Sequence, residues 1–382
     1  MANENLAQAK KVKNDEFYTQ YSDIEKEMSA YLDFNPNVFR GKTILLPCDD
    51  PEWSNFTKYF AQNFDRFGLK ELISTSYAME SKTYKSNYQP TLFEKSNPQF
   101  DEIKTSLNGK IFTLTSDRTD DQRVNVDDLE WHYLQGDGDF RSEEVKKLRD
   151  KSDIIITNPP FSMFREFLAW IMEADKQFSI IGNMNAITYK EVFPLLKANK
   201  VWLGNNYKVN GGAMFYEIPE DIANLDQVRE VRTNEIGKKI YITRVQGVRW
   251  FTNLDHGRLH QPLPLMTMAD NLKFSKHKEI KGKQFYDQYD NYDAIEVPYV
   301  DAIPSDYDGV MGVPISILDK YSPDQFEIVG ITDRDDNSGM KTKEYTEKEV
   351  PNYGDLNRRG VIKIGNEYKS TYARLLVRRI TR

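Results

Sequence analysis

The four residues Asn158-Pro159-Pro160-Phe161 combine groups that suit one kind of chemistry. An exocyclic amine on an aromatic base is a poor nucleophile, because its lone pair is delocalised into the ring. Two acceptors holding its two hydrogens would draw the nitrogen towards tetrahedral geometry and free that lone pair for methyl transfer. The Asn158 side-chain oxygen and the Pro159 main-chain carbonyl can be those acceptors. Two successive prolines fix φ and remove competing N–H donors, which stiffens the loop. The Phe161 ring offers a stacking face for a base drawn out of its duplex. A strand-ending turn would use the same residue types, so position must decide.

Position favours the chemistry. Residues 153–157 (DIIIT) read as a buried strand that runs straight into Asn158, and residues 163–176 (MFREFLAWIMEADK) carry apolar side chains at helical spacing. Upstream, residues 43–46 (TILL) are a strand candidate, followed by the turn CDDPEW and a helix over 55–64. Residues 71–74 and 178–181 add strands, and 190–198 a further helix. Strand and helix in alternation imply an α/β sheet with right-handed parallel crossovers. Ligands of such sheets sit at the carboxyl ends of the strands, where both CDDPEW and NPPF fall. Residues 78–110 are polar and read as a surface insertion. After about residue 255 the alternation stops, which places a boundary there: one domain over 1–255, another over 256–382. Within the latter, residues 313–332 predict a helix and a strand, and 371–380 (TYARLLVRRI) a basic strand.

At 382 residues the chain has room for two to three domains and a large core. A hydrophobic fraction of 39% excludes a mainly disordered chain. The single cysteine, Cys48, permits no internal disulfide and fits a reducing compartment. No apolar leader opens the sequence and no apolar run could span a bilayer, so the expectation is a soluble cytoplasmic protein without a membrane partner. The net charge of −7 argues mildly against nucleic acid, but local patches decide binding. Residues 229–249 hold six Lys/Arg against two Glu, residues 273–283 five Lys against one Glu, and residues 358–382 eight Lys/Arg against one Glu. Gly41-Lys42-Thr43 is not a phosphate loop, because Pro36 stands where its first glycine is needed and the tripeptide precedes a strand. His132, His256, His260 and His277 lack metal-ligand spacing, so no metal is expected. Pro323-Asp324 and the Glu367-Tyr368-Lys369 triplet lie too far apart to read as a nuclease site.

The loop and its setting resemble the catalytic loop of the amino-group DNA methyltransferases. Further stretches resemble the EcoRI-type adenine DNA methyltransferase family: DEFYTQYSDIE (15–25), CDDPEWSNFTKYFAQNFD (48–65), GDGDFRS (136–142), KSDIIITNPPFSMFREFL (151–168) and NAITYKEVF (185–193). LPL (263–265), YDNYDAI (289–295) and YDGVMGVPISILDKYSPDQFEIV (307–329) extend the likeness, which is weakest over 78–130 and 330–360. The resemblance implies a Rossmann-like methyltransferase sheet with helices on both faces, plus a C-terminal mixed α/β target-recognition region. It implies transfer of a methyl group from S-adenosylmethionine to the 6-amino group of a flipped adenine in double-stranded DNA. Such an enzyme serves either beside a cognate restriction endonuclease, a separate protein, or as an orphan methylase. A catalytically silent DNA-binding protein on the same fold would not need an intact NPPF.

Residue by residue, Asn158, Pro159, Pro160 and Phe161 match the catalytic loop. Phe17, Tyr18 and Thr19 match the segment that holds the cofactor's amino-acid end. Cys48, Asp49 and Asp50 occupy the first strand's cofactor loop, and Asp139 with Phe140 the pair near the cofactor's adenine. Phe215 is the candidate second aromatic of the base pocket, although core packing would use it equally well. CDDPEW departs from the family pattern of such loops by lacking a glycine, and Ser74, Ser76 and Tyr77 stand where a ribose-binding carboxylate is expected. Asp49 or Asp50 would serve equally as a helix N-cap, and GDGDF as a turn capping the helix from Ser142. Lys273, Lys276, Lys278 and Lys281 are the expected phosphate contacts, a solvated loop being the alternative.

Overall fold

The computed structural model describes residues 18–47, 49, 54–78, 98–115, 128–205, 213–218, 228–233, 239–333 and 338–380. They form two compact units, one of residues 1–186 and 203–256, the other of 187–202 and 257–382. The units are therefore not two continuous stretches. Residues 187–202 join the second unit, where the Tyr321 hydroxyl reaches the Asn199 side chain at 3.1 Å.

Up to residue 256 the strands are β1 (Tyr18–Thr19), β2 (Thr43–Leu46), β3 (Glu71–Ser76), β4 (Lys110–Leu114), β5 (Glu130–Tyr133), β6 (Ile154–Thr157), β7 (Gln177–Asn183), β8 (Trp202–Leu203), β9 (Ala213–Ile218), β10 (Val228–Thr233), β11 (Lys239–Gln246) and β12 (Val248–Thr252). Eight of them make one mixed sheet in the order β5-β4-β3-β2-β6-β7-β12-β8. The central four, β3, β2, β6 and β7, are parallel. β4 and β12 run antiparallel to β3 and β7. TILL and IIIT are buried at every position, which is why they read as continuous apolar runs instead of alternating ones. The chain leaves β2 for β3 on one side and returns to β6 on the other, so the order reverses between β2 and β6. Flanking helices complete a mixed α/β, Rossmann-like fold.

The helix Phe164–Glu173 buries Phe164, Phe167, Leu168, Trp170 and Ile171, one apolar stripe at helical spacing. A Cβ on Gly182 of β7 would strike the Phe164 ring, so only glycine lets the helix sit this close to the strand. The helix expected over 55–64 is Asn55–Gln62 followed by the turn Phe64–Phe67, and that expected over 190–198 shortens to Phe193–Lys197. The stretch 78–110, expected as a surface insertion, holds the helix Glu102–Leu107 and the first residue of β4 where it is described. A second sheet in this unit, in the order β1-β9-β11-β10, is antiparallel throughout.

The second unit contains β13 (Ile295–Glu296), β14 (Met311–Pro314), β15 (Phe326–Ile331), β16 (Val361–Ile364), β17 (Glu367–Ser370) and β18 (Arg374–Arg379), paired as β13-β14-β18-β15 and a β16–β17 hairpin. The predicted helix within 313–332 is a 3-10 turn, Ile315–Lys320. Arg374 and Glu296 form a buried ion pair in which Nη2 and Nε both donate to Glu296 Oε1, at 2.7 and 3.0 Å, and the Tyr289 hydroxyl donates to Oε2. Asn291 donates to the Arg359 carbonyl and accepts from the Val361 N–H. Asp290 accepts from Lys343 and Tyr345. The YDNYDAI stretch is thus the polar frame of this unit: its half-buried Asp290 is paired, while Asp293 stands exposed.

Candidate active site

The carboxyl ends of β2, β3 and β6 are tied together by Asp49. The buried Thr157 hydroxyl, at the end of β6, lies 2.6 Å from Asp49 Oδ2 and 2.7 Å from the Pro47 carbonyl oxygen. Ser54 donates to Asp49 Oδ1 at 2.8 Å while accepting from the Phe56 N–H. From β3, the Ser74 hydroxyl donates to the Asp49 main-chain carbonyl. Ser54 is therefore the N-cap of the helix Asn55–Gln62, and Asp49 is the residue that grips the cap. The next residue, Asn55, donates from its side chain to the Thr19 carbonyl at 2.8 Å. One run of hydrogen bonds thereby links the N-terminal FYT segment to the strand that carries NPPF.

Asn158 is partly buried and Pro159 fully so, directly beyond Thr157. Pro160 has φ −53° and ψ 125°, the extended conformation its ring allows, and accepts from the Met163 N–H at 2.9 Å. Phe161 opens a single 3-10 turn, half-buried against the main core.

GDGDF lies against the end of β3. Gly138 has φ +88°, and a Cβ there would strike the Ser76 carbonyl oxygen, so the close approach requires glycine. Ser142, not Asp139, caps the helix Glu143–Lys151. The Asp139 carboxylate turns to Arg141 instead, at 2.6 Å to a terminal nitrogen and 2.9 Å to Nε. Burial pushes its pKa up, but the Arg141 hydrogen bonds and charge outweigh that and hold it below the ordinary carboxylate value. Phe140 is buried edge-on to Phe167 and Trp170, with ring centres 5.0 and 5.6 Å away, so its side chain is a core group.

Thr19 pairs with Tyr216, and Phe215 in the same strand pairs with Arg244. The N-terminal segment and the candidate stacking strand are neighbours. Phe17, Cys48 and Asp50 lie outside the described residues, and Tyr18 and Phe215 are described by their backbone alone. Two polar atoms here are buried and make no hydrogen bond among the described residues: Thr19 Oγ1 and Gln20 Nε2. Gln20 escaped the sequence reading, since nothing in its type set it apart from a surface glutamine beside FYT.

Lys273, Lys276, Lys278 and Lys281 lie in the second unit, at and beyond the end of the helix Met268–Phe274, and all four are exposed. Lys276 is engaged by Asp301 at 2.8 Å. Of the cluster over 229–249, Arg232 is paired with Glu230 at 2.8 Å on β10, in the first unit. No described helix is long and apolar enough to cross a membrane, and no described group of His, Cys, Asp and Glu is arranged to hold a metal.

A family model described as adenine-specific methyltransferase EcoRI matches residues 5–380. The type II methyltransferase M.EcoRI of Escherichia coli is 40% identical over 337 residues, covering 87% of this chain and 92% of that protein. The type II methyltransferase M.MpnI of Mycoplasma pneumoniae is 32% identical over 321 residues, covering 84% of this chain and 83% of that protein. No solved structure matches.

Proposed function

Because the chain belongs to the EcoRI adenine-specific methyltransferase family, and is with its members a site-specific adenine DNA methyltransferase, we propose that it methylates the 6-amino group of an adenine flipped out of double-stranded DNA, using S-adenosylmethionine. The observation that carries the reading is the exit of Asn158–Phe161 from β6 beside the Asp49 cross-link, at the point where the strand order reverses.

The residues around that point fit the methyl donor. Thr19 Oγ1 and Gln20 Nε2 are buried polar groups in need of a partner, and a ligand carboxylate would satisfy them. Asp49, with Asp50 beside it in sequence, supplies negative charge for the ammonium group, and Cys48, Phe17 and Tyr18 belong to the same segments. Asp139 and the Phe140 main chain border the adenine end, since the Phe140 ring is committed to the core. When bound, the donor supplies an electrophilic methyl group on a sulfonium.

The rest of the chemistry belongs to this chain. Asn158 Oδ1 and the Pro159 carbonyl accept the two amine hydrogens and localise the lone pair on nitrogen. The buried Pro159 and extended Pro160 hold both acceptors in place before the base arrives, which is where such a site gains its rate. Phe161 stacks on one face of the flipped base and Phe215 closes the other. Residues 1–255 carry cofactor and catalysis, and residues 256–382 carry target recognition, with Lys273, Lys276, Lys278 and Lys281 on the phosphates. Both named relatives are type II methyltransferases, which supports a modification enzyme working in the cytoplasm, its cognate endonuclease a separate protein.

Tritium transfer from labelled S-adenosylmethionine to unmethylated duplex DNA, followed by mapping of the modified bases, tests the reading. Label confined to adenine within one short sequence is expected. Label on cytosine, or none on DNA, overturns it.

A further inference from the structure

The main chain around Asp139 is fixed from several sides. Its N–H donates to Asp137 Oδ1 at 3.1 Å, and its carbonyl accepts from the Ser142 N–H at 3.0 Å. The Asp137 carbonyl in turn accepts from the Ala78 N–H at 2.7 Å, which ties the loop to the chain leaving β3. These bonds settle where Asp139 stands, but not which way its carboxylate turns.

Arg141 settles the carboxylate. Its main-chain N–H and Nε both donate to Asp139 Oδ1, at 2.8 and 2.9 Å, and a terminal nitrogen donates to Oδ2 at 2.6 Å. The arginine is itself held. Its other terminal nitrogen reaches Glu166 Oε2 at 3.3 Å, on the helix that follows NPPF, and its guanidinium lies 5.6 Å from the centre of the core-bound Phe140 ring. With the Arg141 side chain 56% exposed and that of Asp139 22%, such a pair adds little to stability. What it fixes is geometry. An ionised carboxylate offers about four acceptor sites, and Arg141 fills two on Oδ1 and one on Oδ2. One site is left on Oδ2, with no other donor to it among the described residues.

We propose that Arg141 is a positioning residue: it aims the remaining acceptor site of Asp139 Oδ2 at one N–H of the cofactor's adenine amine, and so sets the preference for a cofactor that carries that amine. A planar fork gripping both oxygens suits this task, because it fixes the plane of the carboxylate where a point charge would not. The assignment rests on the reading above, which borders the adenine with Asp139, and adds the group that orients that carboxylate.

The test is calorimetric binding of two probes to the full-length protein: S-adenosylhomocysteine, and S-inosylhomocysteine, in which a carbonyl replaces the amine. The wild type should prefer the adenosyl compound, since the inosyl carbonyl would meet an acceptor with an acceptor. Arg141→Gln should lower that preference about 3- to 10-fold, the cost of leaving one side chain for the ligand to order. Arg141→Lys should recover part of it, keeping the charge without the fork. In an Asp139→Ala background, Arg141→Gln should change the preference no further, because the group it orients is gone. Glu166→Gln, which releases only the other arm of Arg141, should keep most of the preference. No preference in the wild type, an undiminished preference in Arg141→Gln, or an equal loss of affinity for both probes would each overturn the assignment. So would a Glu166→Gln variant that loses as much preference as Arg141→Gln, since Arg141 would then be a brace between loop and helix. Failure of the wild-type protein to bind either probe would instead overturn the functional reading.

Discussion

Thr157→Val removes one hydroxyl and almost no volume, at the place where β6 meets the Asp49 loop. Thr157 is fully buried, and its hydroxyl is shared between Asp49 Oδ2 and the Pro47 carbonyl at 2.6 and 2.7 Å. Asp49 is itself buried and takes the Ser54 hydroxyl on its other oxygen. A hydrogen bond to a charged group is worth about 1.5–3 kcal/mol, and a buried acceptor left without its donor costs about 1–3 kcal/mol. With one hydrogen to lose, the two figures describe the same event, so the expected destabilisation is about 2–3 kcal/mol. Thr157→Ser, which keeps the hydroxyl and loses a methyl, should cost about 1 kcal/mol. Urea unfolding of both variants measures the difference, and calorimetric binding of S-adenosylhomocysteine reports whether the loosened strand ends also weaken the cofactor site. If the Val variant is as stable as the Ser variant and binds equally tightly, the Asp49 cross-link does not organise this site.

The Asn158→Ala enzyme should lose about 100- to 1000-fold in methylation rate while binding S-adenosylhomocysteine normally, and retention of most turnover would remove Asn158 from the chemistry. Phe161→Trp should hold a flipped base far better than Phe161→Ala; equal activity of the two in a methylation assay would count against stacking. Neutralising Lys278 and Lys281 together should lower the slope of log K against log salt by about two contacts' worth, near 1.8, and an unchanged slope would move the DNA track elsewhere. The depressed Asp139 pKa contributes stability that is present above the unfolded value, about 4, and is lost as pH falls through the folded value. Arg141→Gln should therefore shift acid unfolding to higher pH, and an unmoved midpoint would show the pair to be idle.

Much of the parallel core could be read from sequence because its information is local. TILL, ELIS and DIIIT are short apolar runs with turns behind them, and burial on both faces demands that pattern. NPPF was legible for a related reason: two prolines and an asparagine after a strand fix backbone and acceptors within four residues. The β1-β9-β11-β10 sheet was not legible, since β1 has two residues and pairs with a strand nearly two hundred positions later. Nor was the passage of residues 187–202 into the second unit, which is settled by contacts such as Tyr321 with Asn199 and leaves no mark on the local pattern.

Side-chain roles divided along the same line. The family resemblance set Asp49, Asp139 and Phe140 near the strand ends, but residue type allowed each of them several partners. Tertiary packing chose among them: Asp49 ties three strand ends, Asp139 takes Arg141, and the Phe140 ring enters the core. Local composition therefore determined which backbone could form and which acceptors it would present. The fold alone decided which buried charge meets which donor, because that depends on groups brought together from across more than a hundred residues of chain, as Asp49 and Thr157 are.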